Sequence, residues 1–154
     1  MKKCRIGIIS DTHGLLRTEV LEVLEMCDYI IHGGDINNAE VLEELKRIAP
    51  LYVVRGNNDK AQWADELPEE LYFDIADMKF YMVHNKKCIP ENLSHVGIVI
   101  FGHSHKYFCE EKDSVLWLNP GSCGKRRFDQ QITMAVMEIH DGRYLVEKIE
   151  LEPV

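Results

Sequence analysis

Residues 4–14 read CRIGIISDTHG, and the way this stretch is read decides the fold. An apolar run from Ile6 to Ile9 passes directly into Asp11-Thr12-His13-Gly14. Cys4 to Ser10 is therefore expected to be a buried strand, and Gly14 to let the chain bend sharply into a helix. Val20, Leu24 and Cys27 stand at i, i+4 and i+7, which gives that helix one apolar stripe. Val41, Leu45 and Ile48 repeat the spacing, with Asn37 and Glu40 as a helix start and Pro50 as its end. Tyr29 to His32 and Leu51 to Arg55 are then the second and third strands. Strands alternating with helices are the signature of βαβ units and a parallel sheet.

Beyond residue 65 the pattern changes. Leu71, Phe73 and Ile75 alternate with Tyr72 and Asp74, and the runs Lys79 to His84 and Gly97 to Phe101 follow. Ser114 to Leu118, Ile132 to Ile139 and Arg143 to Leu151 also read as strands, the last two joined by the turn Asp141-Gly142. Two packed sheets are expected, the first with helices outside it. No repeat or Pro/Gly/Ser-rich linker interrupts the 154 residues, so residues 1–154 are expected to form one domain.

The chain has 18 Lys and Arg against 26 Asp and Glu, a formal charge of -8. That balance argues against an extended nucleic acid as partner, while a short nucleotide remains compatible. Residues 65 to 77 hold Asp65, Glu66, Glu69, Glu70, Asp74 and Asp77 without a Lys or Arg, and read as a solvated face. The five cysteines are scattered and include no C-x-x-C pair, which fits neither a disulfide framework nor a thiolate zinc site. They read as small core residues in a protein of the reducing cytoplasm. The N-terminal apolar run is too short for a signal peptide or a membrane span.

Residues able to bind metal ions fall just past the ends of the expected strands, where a parallel sheet presents its ligand-binding edge. The first strand runs into Asp11 and His13, the second into Gly33-Gly34-Asp35, and the third into Gly56-Asn57-Asn58-Asp59. Later strands run into His84 and into Gly102-His103-Ser104-His105. In D-x-H the side chains at i and i+2 can converge on one cation, and the two imidazoles of H-x-H can point to one side. Asp35, after two glycines, can place one oxygen on each of two ions. Carboxylate and amide oxygens mixed with imidazole suit Mn²⁺, Fe²⁺, Co²⁺, Ni²⁺ or Zn²⁺. A lone His is more often structural, and D-x-H alone is a weak signal. Five such elements at five strand ends are a strong one.

The order D-x-H, G-D, G-N-x-D, a solitary His and G-H-x-H resembles the calcineurin-like metallophosphoesterases, in particular their small single-domain prokaryotic phosphodiesterase branch. The resemblance runs from Cys4 to about Gly124 and includes the turn Asn119-Pro120-Gly121-Ser122. It implies a four-layer αββα sandwich of two mixed sheets. It also implies one metal on Asp11, His13 and His105 and another on Asn57, His84 and His103, with Asp35 and a hydroxide bridging them. Mn²⁺ is the first expectation for both ions, with Ni²⁺, Zn²⁺, Fe²⁺ and Co²⁺ as alternatives. Asp35, His84, Asn58 and Asp59 are the candidate catalytic residues. The implied activity is hydrolysis of a small phosphodiester or nucleotide-like substrate, and a homo-oligomer, dimer or tetramer, is a further implication. A phosphomonoesterase or nucleotidase of the same fold is the alternative enzyme, and a retromer-subunit-like binding scaffold the alternative of another class.

Three departures from the family pattern bear on substrate choice. Larger members carry His after Gly-Asn, whereas this chain has Asn58, which cannot act as a general acid at neutral pH. Asn85 stands where Gly usually follows the metal-binding His. The stretch from His84 to His103 is short, so the helix normally found there is expected to shrink to a turn around Pro90 to Ser94. Asp59 either orients a ligand imidazole or caps the next turn. His32 reads as structural, His95 and His140 as surface residues. Lys125, Arg126 and Arg127 either hold a substrate phosphate or form a surface basic run.

Overall fold

The computed structural model describes residues 3–93, 95–125 and 130–151. Strand β1 (Cys4–Ile9), helix α1 (Thr18–Leu24), strand β2 (Tyr29–His32), helix α2 (Ala39–Ile48) and strand β3 (Leu51–Val53) follow in turn. After them come β4 (Glu70–Ile75), β5 (Met78–Val83), β6 (Ile98–Ile100), β7 (Phe108–Lys112), β8 (Val115–Asn119), β9 (Ile132–His140) and β10 (Arg143–Leu151). They form two five-stranded sheets, ordered β10-β9-β1-β2-β3 and β4-β5-β6-β8-β7. Strands β1, β2 and β3 are parallel, as are β5, β6 and β8. The remaining pairings are antiparallel, so both sheets are mixed.

Period-two alternation assigns each strand residue to a layer. Phe80 and Met82 of β5 and Ile98 and Ile100 of β6 face the first sheet, where they meet Ile6, Ile8, Ala135 and Met137. Their neighbours Tyr81, Val83, Val99 and Phe101 face outward from the second sheet. Tyr52, Phe73 and Phe80 stack in series within the inter-sheet core, with centroids 4.4 Å and 5.1 Å apart. On the outer face of the first sheet, Val20 and Leu24 of α1 and Val41 and Leu45 of α2 pack with Ile9, Ile30 and Met134.

The outer layers are unequal, which qualifies the four-layer expectation. Among the described residues no α-helix covers the second sheet. A 3-10 turn at Lys86–Cys88 and the half-buried Ile89 and Leu93 lie there instead. The expected turn thus comes earlier than Pro90, and Ser94 lies outside the described residues. Strand β7 was not expected: its sequence FCEEK carries three charged residues and no alternation, the pattern of an edge strand guarded against further pairing. Helix α2 is capped one residue later than expected, because Asn38 Oδ1 accepts from Val41 N at 3.0 Å. The turn Asp141-Gly142 has φ of 52° and 74°, the left-handed pair that a two-residue hairpin requires.

Phe80 is 1% exposed, whereas Leu145 on edge strand β10 is 73% exposed. Phe80→Ala should lower unfolding free energy by about 3–5 kcal/mol and Leu145→Ala by less than about 0.5 kcal/mol, as read by urea denaturation. Similar losses for the two would contradict this assignment of the core.

Candidate metal centre

Each candidate ligand sits one to five residues beyond a parallel strand. Asp11 and His13 follow β1, Asp35 follows β2, Asn57 follows β3, His84 follows β5, and His103 and His105 follow β6. Cross-loop hydrogen bonds lace the first two loops together: Asp11 N donates to Gly34 O at 2.9 Å, His13 N to Asp35 O at 3.0 Å and Gly14 N to Ile36 O at 2.8 Å. The backbone is left-handed at Asp11 (φ 53°), His13 (48°), Asp35 (61°), Asn37 (77°), His103 (71°) and His105 (65°). Non-glycine residues persist there, at of order 1–3 kcal/mol each, only where the surroundings over-determine them.

These turns aim the side chains at one point. Asp11 Oδ1 lies 3.3 Å from His105 Nε2, 3.8 Å from His13 Nε2 and 3.8 Å from His84 Nε2. Asp35 Oδ2 lies 3.2 Å from His84 Nε2 and 3.7 Å from His13 Nε2. His13 Nε2 and His105 Nε2 are 3.4 Å apart. Two overlapping triads result, Asp11 with His13 and His105, and Asp11 with Asp35 and His84. His103 borders the second: its ring centroid is 5.3 Å from that of His84, and its Nδ1 is 3.3 Å from Asn57 Oδ1. Asp11, Asp35, His84 and His105 are buried, while Asn57, Asn58 and His103 are exposed and form the mouth.

A set of hydrogen bonds fixes which atom of each group faces the centre. Ser10 Oγ (2.8 Å) and His103 N (3.1 Å) both donate to Asp11 Oδ2, which leaves Oδ1 turned towards the histidines. His84 Nδ1 lies 2.7 Å from Gly33 O, a carbonyl that can only accept, so Nδ1 carries the hydrogen. The lone pair of neutral His84 is therefore on Nε2, aimed at two carboxylates. Asn58 donates to Asp35 twice, N to Oδ1 at 2.9 Å and Nδ2 to Oδ2 at 3.1 Å. Behind the centre, Ser122 Oγ donates to Asp11 O and Asn119 Nδ2 to Gly102 O, so the turn after β8 braces both the first and the last ligand loop.

Asp59 does something that neither expectation covered. Its carboxylate is 1% exposed and accepts from four backbone amides: Asp35 and Gly56 on Oδ2, Ile36 and Asn37 on Oδ1, all between 2.8 and 3.0 Å. It clasps the Asp35 loop rather than an imidazole. Gly56 has a related constraint, since a Cβ there would overlap Asp35 N and Oδ1. His32 is fully buried, accepts from Gly34 N on Nδ1 and meets Thr12 Oγ1 with Nε2. Burial, partly offset by the Asp11 charge, lowers its pKa to about 4, so it is a neutral strut, as its place in β2 implied.

The donor set fits divalent cations. Asp11 Oδ1 and His84 Nε2 are buried and lack a hydrogen-bond partner among the described residues, an arrangement that is costly unless a proton or a cation lies between them. For His84, burial pulls the pKa down, but the Asp35 and Asp11 carboxylates outweigh it and raise the value above the usual histidine range. For Asp35, burial alone would raise the pKa, yet His84, the Asn58 N–H and His13 hold it well below the usual carboxylate range. Divalent metal ions replace the proton on such a set.

The sequence singles out seven candidate ligands, of which Asp11, His13, Asp35, His84 and His105 converge in the two triads, and it does not disclose their supports. Ser10, Asn37 and Asn119 have no signature of their own; they are found only through contacts, such as Asn37 Nδ2 at 3.4 Å from His13 Nδ1. His95 is exposed, as expected, while His140 at the end of β9 is half-buried. Lys125 is exposed, while Arg126 and Arg127 lie outside the described residues. Cys27 and Cys123 are buried, but Cys88 is exposed, contrary to the reading of all five as core residues.

Two outcomes follow from this geometry. Asp59→Asn replaces one carboxylate oxygen by an NH2 donor, so two of the four amides lose their acceptor, and should cost the metal-free protein about 1–3 kcal/mol by urea denaturation; an unchanged midpoint would contradict the clasp. The raised His84 pKa contributes stability that is complete below about pH 6.5 and lost as pH rises through its folded value, whereas lowered Asp35 contributes above about pH 4 and loses it on acidification. With chelator present, stability in thermal melts should therefore fall as pH rises above about 6.5. With a divalent cation added that fall should disappear. A chelated protein whose stability does not fall with rising pH would contradict the pairing.

Comparison with known proteins bears on what such a centre does. A phosphodiesterase of Methanocaldococcus jannaschii is 33% identical over 139 residues, covering 77% of this chain and 84% of its own. A solved archaeal phosphodiesterase superposes with a TM-score of 0.73 at 25% identity, over 96% of this chain and 99% of the other. Vacuolar protein sorting 29 from Cryptosporidium parvum superposes with a TM-score of 0.77 at 22% identity, over 97% and 98%, a likeness of fold alone. The family model of the calcineurin-like phosphoesterase superfamily domain matches residues 4–142. That match covers most of the chain, including the Asp/His cluster, and the chain belongs to the calcineurin-like phosphoesterase superfamily.

Proposed function

We propose that this chain, acting as one domain, is a cytoplasmic phosphodiesterase that hydrolyses small phosphodiesters at a binuclear centre. Asp11, His13 and His105 would hold one ion and Asn57, His84 and His103 the other, with Asp35 between them. Mn²⁺ is the first choice of metal. When bound, divalent ions at such a centre supply an acidified water and charge neutralisation for the phosphoryl oxygens. The observation that carries this reading is the convergence of Asp11 Oδ1 and Asp35 Oδ2 on three imidazole nitrogens in a buried cluster that opens at an exposed mouth.

The remaining steps belong to the chain's own groups. Gly33 O keeps the proton of His84 on Nδ1, so Nε2 stays available as a donor atom to the centre. Asn58 holds Asp35 by two hydrogen bonds and acts as a positioning residue. The scissile group would enter at the exposed mouth beside Asn57 and His103, because phosphoryl transfer asks chiefly for placement and charge compensation. No imidazole stands at position 58 to protonate the departing oxygen, so the leaving group must carry its own charge away. A cleft of about 590 Å³ opens from Asn57 and His84 towards Arg55, Lys60 and Glu70, large enough for one ester arm of a small diester. No helix among the described residues is long and apolar enough to cross a membrane. The five free cysteines suit a reducing compartment.

Protein loaded with Mn²⁺ should hydrolyse bis(p-nitrophenyl) phosphate, and Asp35→Asn should reduce kcat/KM by at least about 10²-fold. Rates for a series of aryl and alkyl diesters should fall steeply as leaving-group pKa rises. A scaffold would show no turnover with any divalent metal, and a flat series would contradict the role given to Asn58.

A further inference from the structure

A second cleft, of about 430 Å³, adjoins the centre at His103 and shares Asn85 with the first. Its wall carries Lys86, Lys87 and Lys106 and no Asp or Glu. In a chain with 26 acidic residues against 18 Lys and Arg, this is a local reversal of sign. All three lysines are exposed, and none forms an ion pair with a carboxylate among the described residues. The first cleft is balanced by comparison, because Arg55 and Lys60 there face Asp59, Glu69 and Glu70. Arg55 is also engaged, its Nε donating to Asp59 O at 2.7 Å.

The basic cleft is better suited to an anion than to a nucleobase. Phe108 and Tyr107 each have one face engaged by a cation: Lys86 Nζ lies 5.6 Å from the ring centroid of Phe108, and Lys148 Nζ lies 5.2 Å from that of Tyr107. The cation–π contact with Phe108 restrains the Lys86 ammonium, which lowers the entropy lost when it meets a ligand. Three ammonium groups in one concavity match the several oxygens of a phosphate, and each would form a charge-assisted hydrogen bond. His103 is common to the mouth of the centre and to this cleft, so an anion there lies one group removed from the scissile phosphate.

We infer that Lys86, Lys87 and Lys106 bind a second phosphate carried by the substrate, so that the preferred substrates are phosphodiesters bearing a terminal phosphate. This inference rests on the reading of the centre as the site of the scissile phosphate. It assigns substrate selection to the segment 85–87 and to Lys106.

The test uses the Mn²⁺-loaded protein with bis(p-nitrophenyl) phosphate as reporter and the dinucleotides d(TpT) and d(pTpT) as competing inhibitors. The 5′-phosphate should lower Ki by roughly tenfold or more, and the double variant K87Q/K106Q should remove most of that ratio. Raising ionic strength from about 0.05 M to about 0.5 M should shrink the ratio in the wild-type protein. Inorganic phosphate added together with d(TpT) should not reproduce the tighter binding, which separates a covalently borne phosphate from a free one. Equal Ki values for the two dinucleotides would overturn the inference. So would a preference for d(pTpT) that survives K87Q/K106Q, the result expected if the terminal phosphate sits on the metals or if the lysines serve an acidic protein partner. Failure of the reading beneath it is distinct, since bis(p-nitrophenyl) phosphate itself would then not be turned over.

Discussion

Two buried carboxylates and the imidazole nitrogens they face impose the constraint on which the rest of the structure depends. Asp11 Oδ1 has neighbours at 3.3 to 3.8 Å on three histidines, and neither it nor His84 Nε2 has a hydrogen-bond partner among the described residues. Charge and lone pairs gathered out of water in this way are costly unless something positive lies among them. The surrounding architecture holds the gathering together. Left-handed backbone at six loop positions, a buried clasp at Asp59 and a glycine at 56 that leaves room for Asp35 all cost conformational freedom. Their common product is one set of donor atoms aimed at one place.

Two layers of sheet supply the rigidity. The parallel strands β1, β2 and β3 deliver three ligand loops, and β5 and β6 deliver the other two. The loops therefore grow from opposite sides of one inter-sheet core, stacked through Tyr52, Phe73 and Phe80. The outer layer over the second sheet is thin where the chain between His84 and His103 is short. That thinness leaves the lysines of segment 85–87 beside the mouth, where they shape what can approach.

The sequence was legible where one signal repeats and illegible where a role depends on contact. Strand β2 was read to the residue and β1 to within one, because Ile-rich runs flanked by turn chemistry admit few readings. The seven candidate donors could be singled out because they stand just past the ends of five strands. Strand β7 was invisible, since Phe108–Lys112 is charged and makes sense only as the guarded edge beside β8. Asn37 and Asn38 were confused because both can cap a helix, and only the structure gives Val41 N to Asn38 and frees Asn37 to approach His13. Asp59 was singled out by its place in G-N-x-D, but nothing in that spacing discloses four backbone amides folding back from the loops around Asp35 and Gly56.

The central claim is that these side chains form one cradle for a pair of divalent ions. Diffraction from crystals soaked in Mn²⁺, recorded at the manganese absorption edge, tests it most directly. The account predicts two anomalous peaks within the cluster, one among Asp11, His13 and His105 and the other among Asn57, His84 and His103, with Asp35 reaching both. Absence of peaks there, or manganese bound only at surface carboxylates while the buried cluster remains empty, would contradict it.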